Sequence, residues 1–164
     1  MKTLKKYAPV LFLVFITSAC QLICPRPLSQ KFYCKINGVG WRPDTPGSIS
    51  FYYPLKAEWN KKGLFAIYAN FGVQSVIFGL KLPPNEPLEA GTYKLGDVRP
   101  GYIGTFSPSQ NESLDSKTGS LVITKIEKGM ISGTFEFTVY STVQKKTYKI
   151  TKGQFNDLRF NTTS

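Results

Sequence analysis

From Lys31 onward, apolar and polar residues alternate with a period of two, the pattern of strands that bury one face. Phe32, Cys34 and Ile36 alternate with Tyr33 and Lys35, and Asn37-Gly38 follows as a tight-turn signal before Val39 and Trp41 open the return strand. Ile49, Phe51 and Tyr53 share a face until Pro54 interrupts. After a Lys61-Lys62-Gly63 turn, Phe65, Ile67, Ala69 and Phe71 line one face opposite Tyr68 and Asn70. Val76, Phe78, Leu80 and Leu82 repeat the period, ended by Pro83-Pro84. Residues 87–93 read as a loop entering a short strand. Residues 107–119, rich in Ser, Pro, Asn, Asp and Gly, read as a long exposed loop. Leu121 and Ile123 begin the next strand, and Lys128-Gly129 turns it into Ile131, Gly133, Phe135, Phe137 and Val139. Tyr148 to Ile150 and Phe155 to Phe160 finish the pattern.

No stretch in this region shows helical periodicity with caps. The expected fold is all-β: a single antiparallel β-sandwich or open barrel of about nine or ten short strands. Phe135 and Phe137 are expected in the core. Gly133 is expected to make room for a bulge or a facing aromatic, and Gly153 to be a turn residue with positive φ.

The first thirty residues follow a different pattern. Lys2, Lys5 and Lys6 precede an apolar run from Ala8 to Ile16, then Thr17-Ser18-Ala19-Cys20. A charged start, a short apolar centre and small residues before a cysteine describe a secretory signal ending at a lipid-attachment site. The run is shorter than the ~20 residues a spanning helix needs. The chain therefore divides into a signal peptide (1–19), a lipidated tether (20–30) broken by Pro25 and Pro27, and a β-domain (31–164). Thr17 stands where such signals usually carry an aliphatic residue, so plain secretion is the competing expectation. A diacyl or triacyl Cys20 supplies enough acyl chains for stable anchoring. The absence of acidic residues after Cys20 favours the outer membrane with the domain facing the periplasm.

The 21 Lys+Arg against 10 Asp+Glu give a net charge of +11, and removing the three signal lysines leaves 18 against 10, or +8. These cations are spread along the domain without a dense run, which fits a solvated basic surface rather than a nucleic-acid site. Cys24 and Cys34 form an even pair beside Cys20. They could bridge, or stand as two independent thiols, one in the tether and one in a strand.

The chain contains no histidine, which removes Ser–His–Asp and Cys–His triads and the commonest zinc ligand. No nucleotide-binding motif is present, so no cofactor, metal or catalytic residue is assigned. Glu86 and Glu89 in a Pro-flanked loop, and Asp44, Asp97, Asp115 and Asp157 near strand ends, could supply paired carboxylates. Aromatics make up 14% of the chain and exceed what the inward faces need. Trp41, Tyr52, Trp59 and Tyr102 are candidates for binding, with Tyr68 and Tyr93 beside them; the competing structural role is plugging the open ends of the fold. Arg99-Pro100-Gly101-Tyr102 reads as a binding loop or a rigid turn.

Thr118-Gly-Ser-Leu-Val-Ile-Thr-Lys-Ile, Ile131-Ser-Gly-Thr-Phe-Glu-Phe and Tyr148-Lys-Ile-Thr-Lys-Gly-Gln-Phe stand with Ile36-Asn-Gly-Val-Gly-Trp near the domain's start. Together they resemble a group of small uncharacterised β-rich lipoproteins of Bacteroidota. The resemblance implies location and fold, but no reaction and no catalytic residues. The expected function is a non-catalytic envelope lipoprotein, membrane-bound by its lipid, that contacts a protein or glycan. The alternatives are a small glycan-acting hydrolase and a structural or assembly subunit.

Overall fold

The computed structural model describes residues 31–43, 53–60, 62–84, 86–96 and 101–163. The strands are β1 (Phe32–Ile36), β2 (Val39–Trp41), β3 (Leu55–Asn60), β4 (Leu64–Phe71), β5 (Gln74–Lys81), β6 (Gly91–Gly96), β7 (Tyr102–Ser109), β8 (Glu112–Glu127), β9 (Met130–Ser141) and β10 (Lys146–Thr163). Seven of them, in the order β10-β3-β4-β5-β7-β8-β9, return to β10 and close a barrel. The hairpin β1-β2 extends the wall at β10, and β6 extends it at β8.

Closure depends on two long strands that change neighbours. β8 pairs with β7 through residues 112–115, then with β9 from Ser116 onward. The 18-residue β10 pairs with β9 and β1, and its last four partners lie on β3 in parallel register, Phe160 opposite Ala57 through Thr163 opposite Asn60. Every other pairing among the described residues is antiparallel. Bulges bend β10 between Ile150 and Gly153 and between Phe155 and Leu158. At those places Lys152 and Asp157 take positive φ, 51° and 48°. An extra residue on one strand bends it and raises its twist, which lets one strand serve two walls. Asn37-Gly38 and Lys128-Gly129 have positive φ at both positions, matching the strand twist at the two-residue hairpins.

The period of two delivers its inward set to one core. Phe32, Phe65, Phe78, Phe106 and Phe155 are fully buried, with Ile67, Leu80, Leu121, Ile131 and Ile150. Phe78 reaches across from β5 to β9, its ring 4.4 Å from that of Phe135 and 5.5 Å from that of Phe137. On β9 and β10 glycine and phenylalanine alternate in opposite phase: Gly133 faces Phe155, and Phe135 faces Gly153. A Cβ at Gly133 would lie 2.5 Å from the Phe155 ring and 2.1 Å from the Val122 carbonyl oxygen. The facing aromatic expected there is Phe155.

Three expectations are corrected. Residues 107–119 are not a loop: they form the end of β7, a turn at Gln110-Asn111 and the first half of β8. Their inward positions are Leu114 and Ser116, and the Ser116 hydroxyl accepts a bond from Gly104 N at 3.0 Å. With serine doing an inward residue's work, the strand has no apolar period to read. Gly153 is not a positive-φ turn residue; Lys152 takes that conformation, and Gly153 lies buried under the Phe135 ring. Phe71 leaves the core face, 48% exposed, because it sits at the tip of the β4-β5 hairpin beyond the opposing wall. The predicted strand at Ile49 and Phe51 lies outside the described residues, and Tyr53 beyond it is exposed.

Candidate functional site

Along the β8 edge, β7 gives way to β6, and the chain between β5 and β6 folds over that junction. The result is a cleft of about 500 Å³ lined by Leu82, Glu86, Pro87, Glu89, Thr92, Tyr93, Lys94 and Tyr102. Close backbone approaches position its walls. Leu82 N donates to Gly63 O at 2.7 Å and Lys81 N to Gly101 O at 2.8 Å. Gly101, at φ +97°, lies where a Cβ would stand 2.8 Å from Lys81 Cβ, so a side chain there would push Tyr102 off the wall. Glu86 N donates to Pro83 O at 3.1 Å, turning the loop after Pro83-Pro84.

Two tyrosines form the aromatic part of the cleft. Tyr93 and Tyr102 meet edge to face, 5.7 Å between centroids at 69°, a favoured aromatic geometry. The Tyr93 hydroxyl donates to Glu89 O at 2.8 Å, tying the loop to β6. Burial raises the Tyr93 phenol above its ordinary value and outweighs the bond to the Glu89 carbonyl, which pulls the other way, so it stays a donor. Glu86, Glu89, Thr92 and Lys94 are exposed around the rings. This arrangement offers aromatic faces for stacking, with carboxylates, a hydroxyl and an ammonium for hydrogen bonding, in a volume typical of small-ligand sites.

The sequence-selected aromatics do not converge on one place. Tyr102 lines the cleft. Trp41 is 7% exposed, packed edge-on against Phe32, and its Nε1 donates to Gln74 Oε1 at 3.0 Å. Trp59 is half-buried on β3, packed against the core. Tyr52 lies outside the described residues, as do Cys20, Cys24, Asp44 and Asp97. Cys34 is a free thiol, fully buried on β1, and burial pushes its pKa up to about 12, so it is an inert thiol rather than a nucleophile. The remaining acids named from sequence sit elsewhere: Asp115 accepts from Thr105 Oγ1 at 3.0 Å, and Asp157 lies beside Ser132. Among the described acids named from sequence, Glu86 and Glu89 reach the cleft. Thr92, Lys94 and Leu82 carried no sequence signal as site residues; a lysine and a threonine on an edge strand look like ordinary solvated positions.

A family model described as a domain of unknown function (DUF6252) matches residues 53–159, which takes in β3 to β10 up to Arg159 and the whole cleft. No curated protein and no solved structure matches the chain.

Proposed function

We propose that this chain, which belongs to the DUF6252 family, is a non-catalytic envelope lipoprotein that binds a glycan in the Tyr93–Tyr102 cleft. Residues 1–19 act as the signal peptide, Cys20 carries the lipid, and the domain faces the periplasm from the outer membrane, as the resemblance to Bacteroidota lipoproteins implies. The observation that carries the binding reading is the pairing of two tyrosine rings with Glu86, Glu89, Thr92 and Lys94 in one cleft. Sugar rings present C–H faces that stack on aromatics and hydroxyls that bond to carboxylates and ammonium groups.

The test is titration of the detergent-solubilised full chain with a panel of neutral and amino-sugar oligosaccharides, read by calorimetry. Tyr102→Ala is expected to weaken binding roughly tenfold, the loss of one stacking contact. No heat from any oligosaccharide, or equal affinity in the variant, would refute the reading. The anchor is tested separately: Cys20→Ala is expected to leave the membrane fraction.

The second reading is a small hydrolase on envelope polysaccharide, favoured by the presence of both Glu86 and Glu89 in the cleft. It requires release of reducing ends that Glu86→Gln and Glu89→Gln each abolish.

A further inference from the structure

Four hairpin tips, β1-β2, β4-β5, β7-β8 and β9-β10, gather at one end of the barrel, and direct bonds between neighbours hold them there. Asn37 of the β1-β2 turn donates its backbone N–H to Lys149 O at 2.9 Å and accepts from Lys149 N at 2.8 Å. Trp41 ties the same hairpin to Gln74, next to the β4-β5 tip. Ser141 donates to Glu112 Oε1, and Gln144 Nε2 donates to Glu112 Oε2 at 2.8 Å, joining the β9-β10 and β7-β8 tips. Asn70 donates to Tyr53 O at 3.0 Å, bringing the approach to β3 to the same end.

This end displays large apolar side chains beside its polar ones. Val143 is 82% exposed, Tyr53 75%, Val73 52% and Phe71 48%. These side chains sit on hairpin tips and at the entry to β3, on a backbone braced from below by Tyr148, whose hydroxyl donates to Gln144 Oε1 at 2.6 Å. Lys145, Lys146 and Lys149 are exposed around the β9-β10 tip, and Arg42 follows β2. The described acids nearest these tips, Glu112 and Asp115, already hold hydrogen-bond partners. Glu112 accepts from Ser141 and Gln144, and Asp115 from Thr105. Lys146 stands with its ammonium 4.8 Å from the Tyr148 ring centroid and still reaches solvent. Apolar tips set among exposed cations match one surface in particular, a bilayer with anionic headgroups, where the tips enter the acyl boundary and the lysines meet phosphates.

We propose that this apex docks on an anionic lipid bilayer. The chain enters β1 at Phe32, opposite Phe155 and part-way up the wall. An eleven-residue tether extends to ~36 Å at full stretch, so an anchored Cys20 leaves the apex free to reach the bilayer. The cleft, formed where β7 begins and β5 ends, then faces away from the membrane. Docking is independent of the glycan reading, because no cleft residue takes part.

The test uses hydrogen exchange, read by mass spectrometry, on the full chain reconstituted with vesicles of phosphatidylcholine alone or of phosphatidylcholine mixed with phosphatidylglycerol. Only lipid charge changes between the arms, so the outcome does not depend on how the N-terminus is held. Amides of 71–73 and 142–145 are expected to exchange at least ~5-fold more slowly on the anionic vesicles, and high salt is expected to remove the difference. A Lys145→Gln/Lys146→Gln/Lys149→Gln variant, altered only at exposed positions, is expected to lose it as well. Equal exchange on both vesicles would overturn the proposal. So would slowing that tracks protein concentration without lipid, which would make a second copy of the chain the occupant.

Discussion

Replacing Gly133 by alanine adds one methyl group at a crowded point of the β9-β10 wall. The new Cβ would lie 2.1 Å from the Val122 carbonyl oxygen and 2.5 Å from Phe155 Cζ. The ring could tilt away, but the carbonyl belongs to β8, which is hydrogen-bonded to β9 on that side. Relief therefore requires the β8–β9 ladder to open locally. Overpacking of a tight core costs ~1–3 kcal/mol, and occasionally more; a backbone clash that no rotamer relieves belongs at the upper end, about 3 kcal/mol. For a domain of this size that is a fall in Tm of roughly 10 °C. Two other glycines calibrate the result. Gly104 has side-chain neighbours, Phe137 at 3.1 Å and Leu95 at 3.2 Å, and Gly91 has nothing within 4 Å. Gly104→Ala is expected to cost ~1 kcal/mol as the Phe137 and Leu95 side chains shift slightly, and Gly91→Ala to be neutral within ~0.5 kcal/mol. Urea denaturation followed by circular dichroism ranks all three. If Gly133→Ala unfolds within ~0.5 kcal/mol of the parent chain, or Gly91→Ala costs as much, the packing account of the glycine–phenylalanine alternation is wrong.

Two further outcomes are expected. Cys34 is held protonated up to about 12 in the fold against an ordinary 9.0; the folded state therefore keeps a proton that the unfolded chain releases. Its contribution is full below pH ~9 and is lost as pH rises toward 12, at up to ~1.4 kcal/mol per pH unit. The stability gap between the parent and Cys34→Ala should accordingly narrow above pH ~9 in parallel urea titrations, and a gap that stays constant to about pH 11 would contradict the assigned burial. Ser141, fully buried, donates to Glu112 and accepts from Gln144 N at 2.9 Å. Ser141→Ala leaves both partners short and is expected to cost ~1–3 kcal/mol by calorimetry. A neutral result would mean that water replaces the hydroxyl without loss.

Much of the fold was legible in the sequence wherever a strand had one dry and one wet face. Val76, Phe78, Leu80 and Leu82 were read correctly, as were Ile131 to Val139 and the Asn37-Gly38 and Lys128-Gly129 turns, because alternation and positive-φ preference are local properties. The first half of β8 was illegible for the opposite reason. Its inward Ser116 is satisfied by Gly104 N, a partner twelve residues away in sequence, so polarity there recorded a tertiary bond rather than exposure. The candidate site divides in the same way. Tyr93, Tyr102, Glu86 and Glu89 could each be singled out as unusual, yet nothing local placed them together or sent Trp41 into the core instead.

By itself, then, the sequence determined the strand class, most inward faces and the tight turns, since each depends on residues within reach of one another along the chain. Barrel closure was decided only in three dimensions. It rests on β8 and β10 changing partners mid-strand, on bulges at Lys152 and Asp157, and on a parallel seam between β10 and β3. The parallel seam joins segments more than a hundred residues apart, and the β9-β10 register is set by how Gly133, Gly153, Phe135 and Phe155 fit against one another. The cleft and the basic, apolar hairpin apex are consequences of that closure, which is why both emerge only when the walls meet.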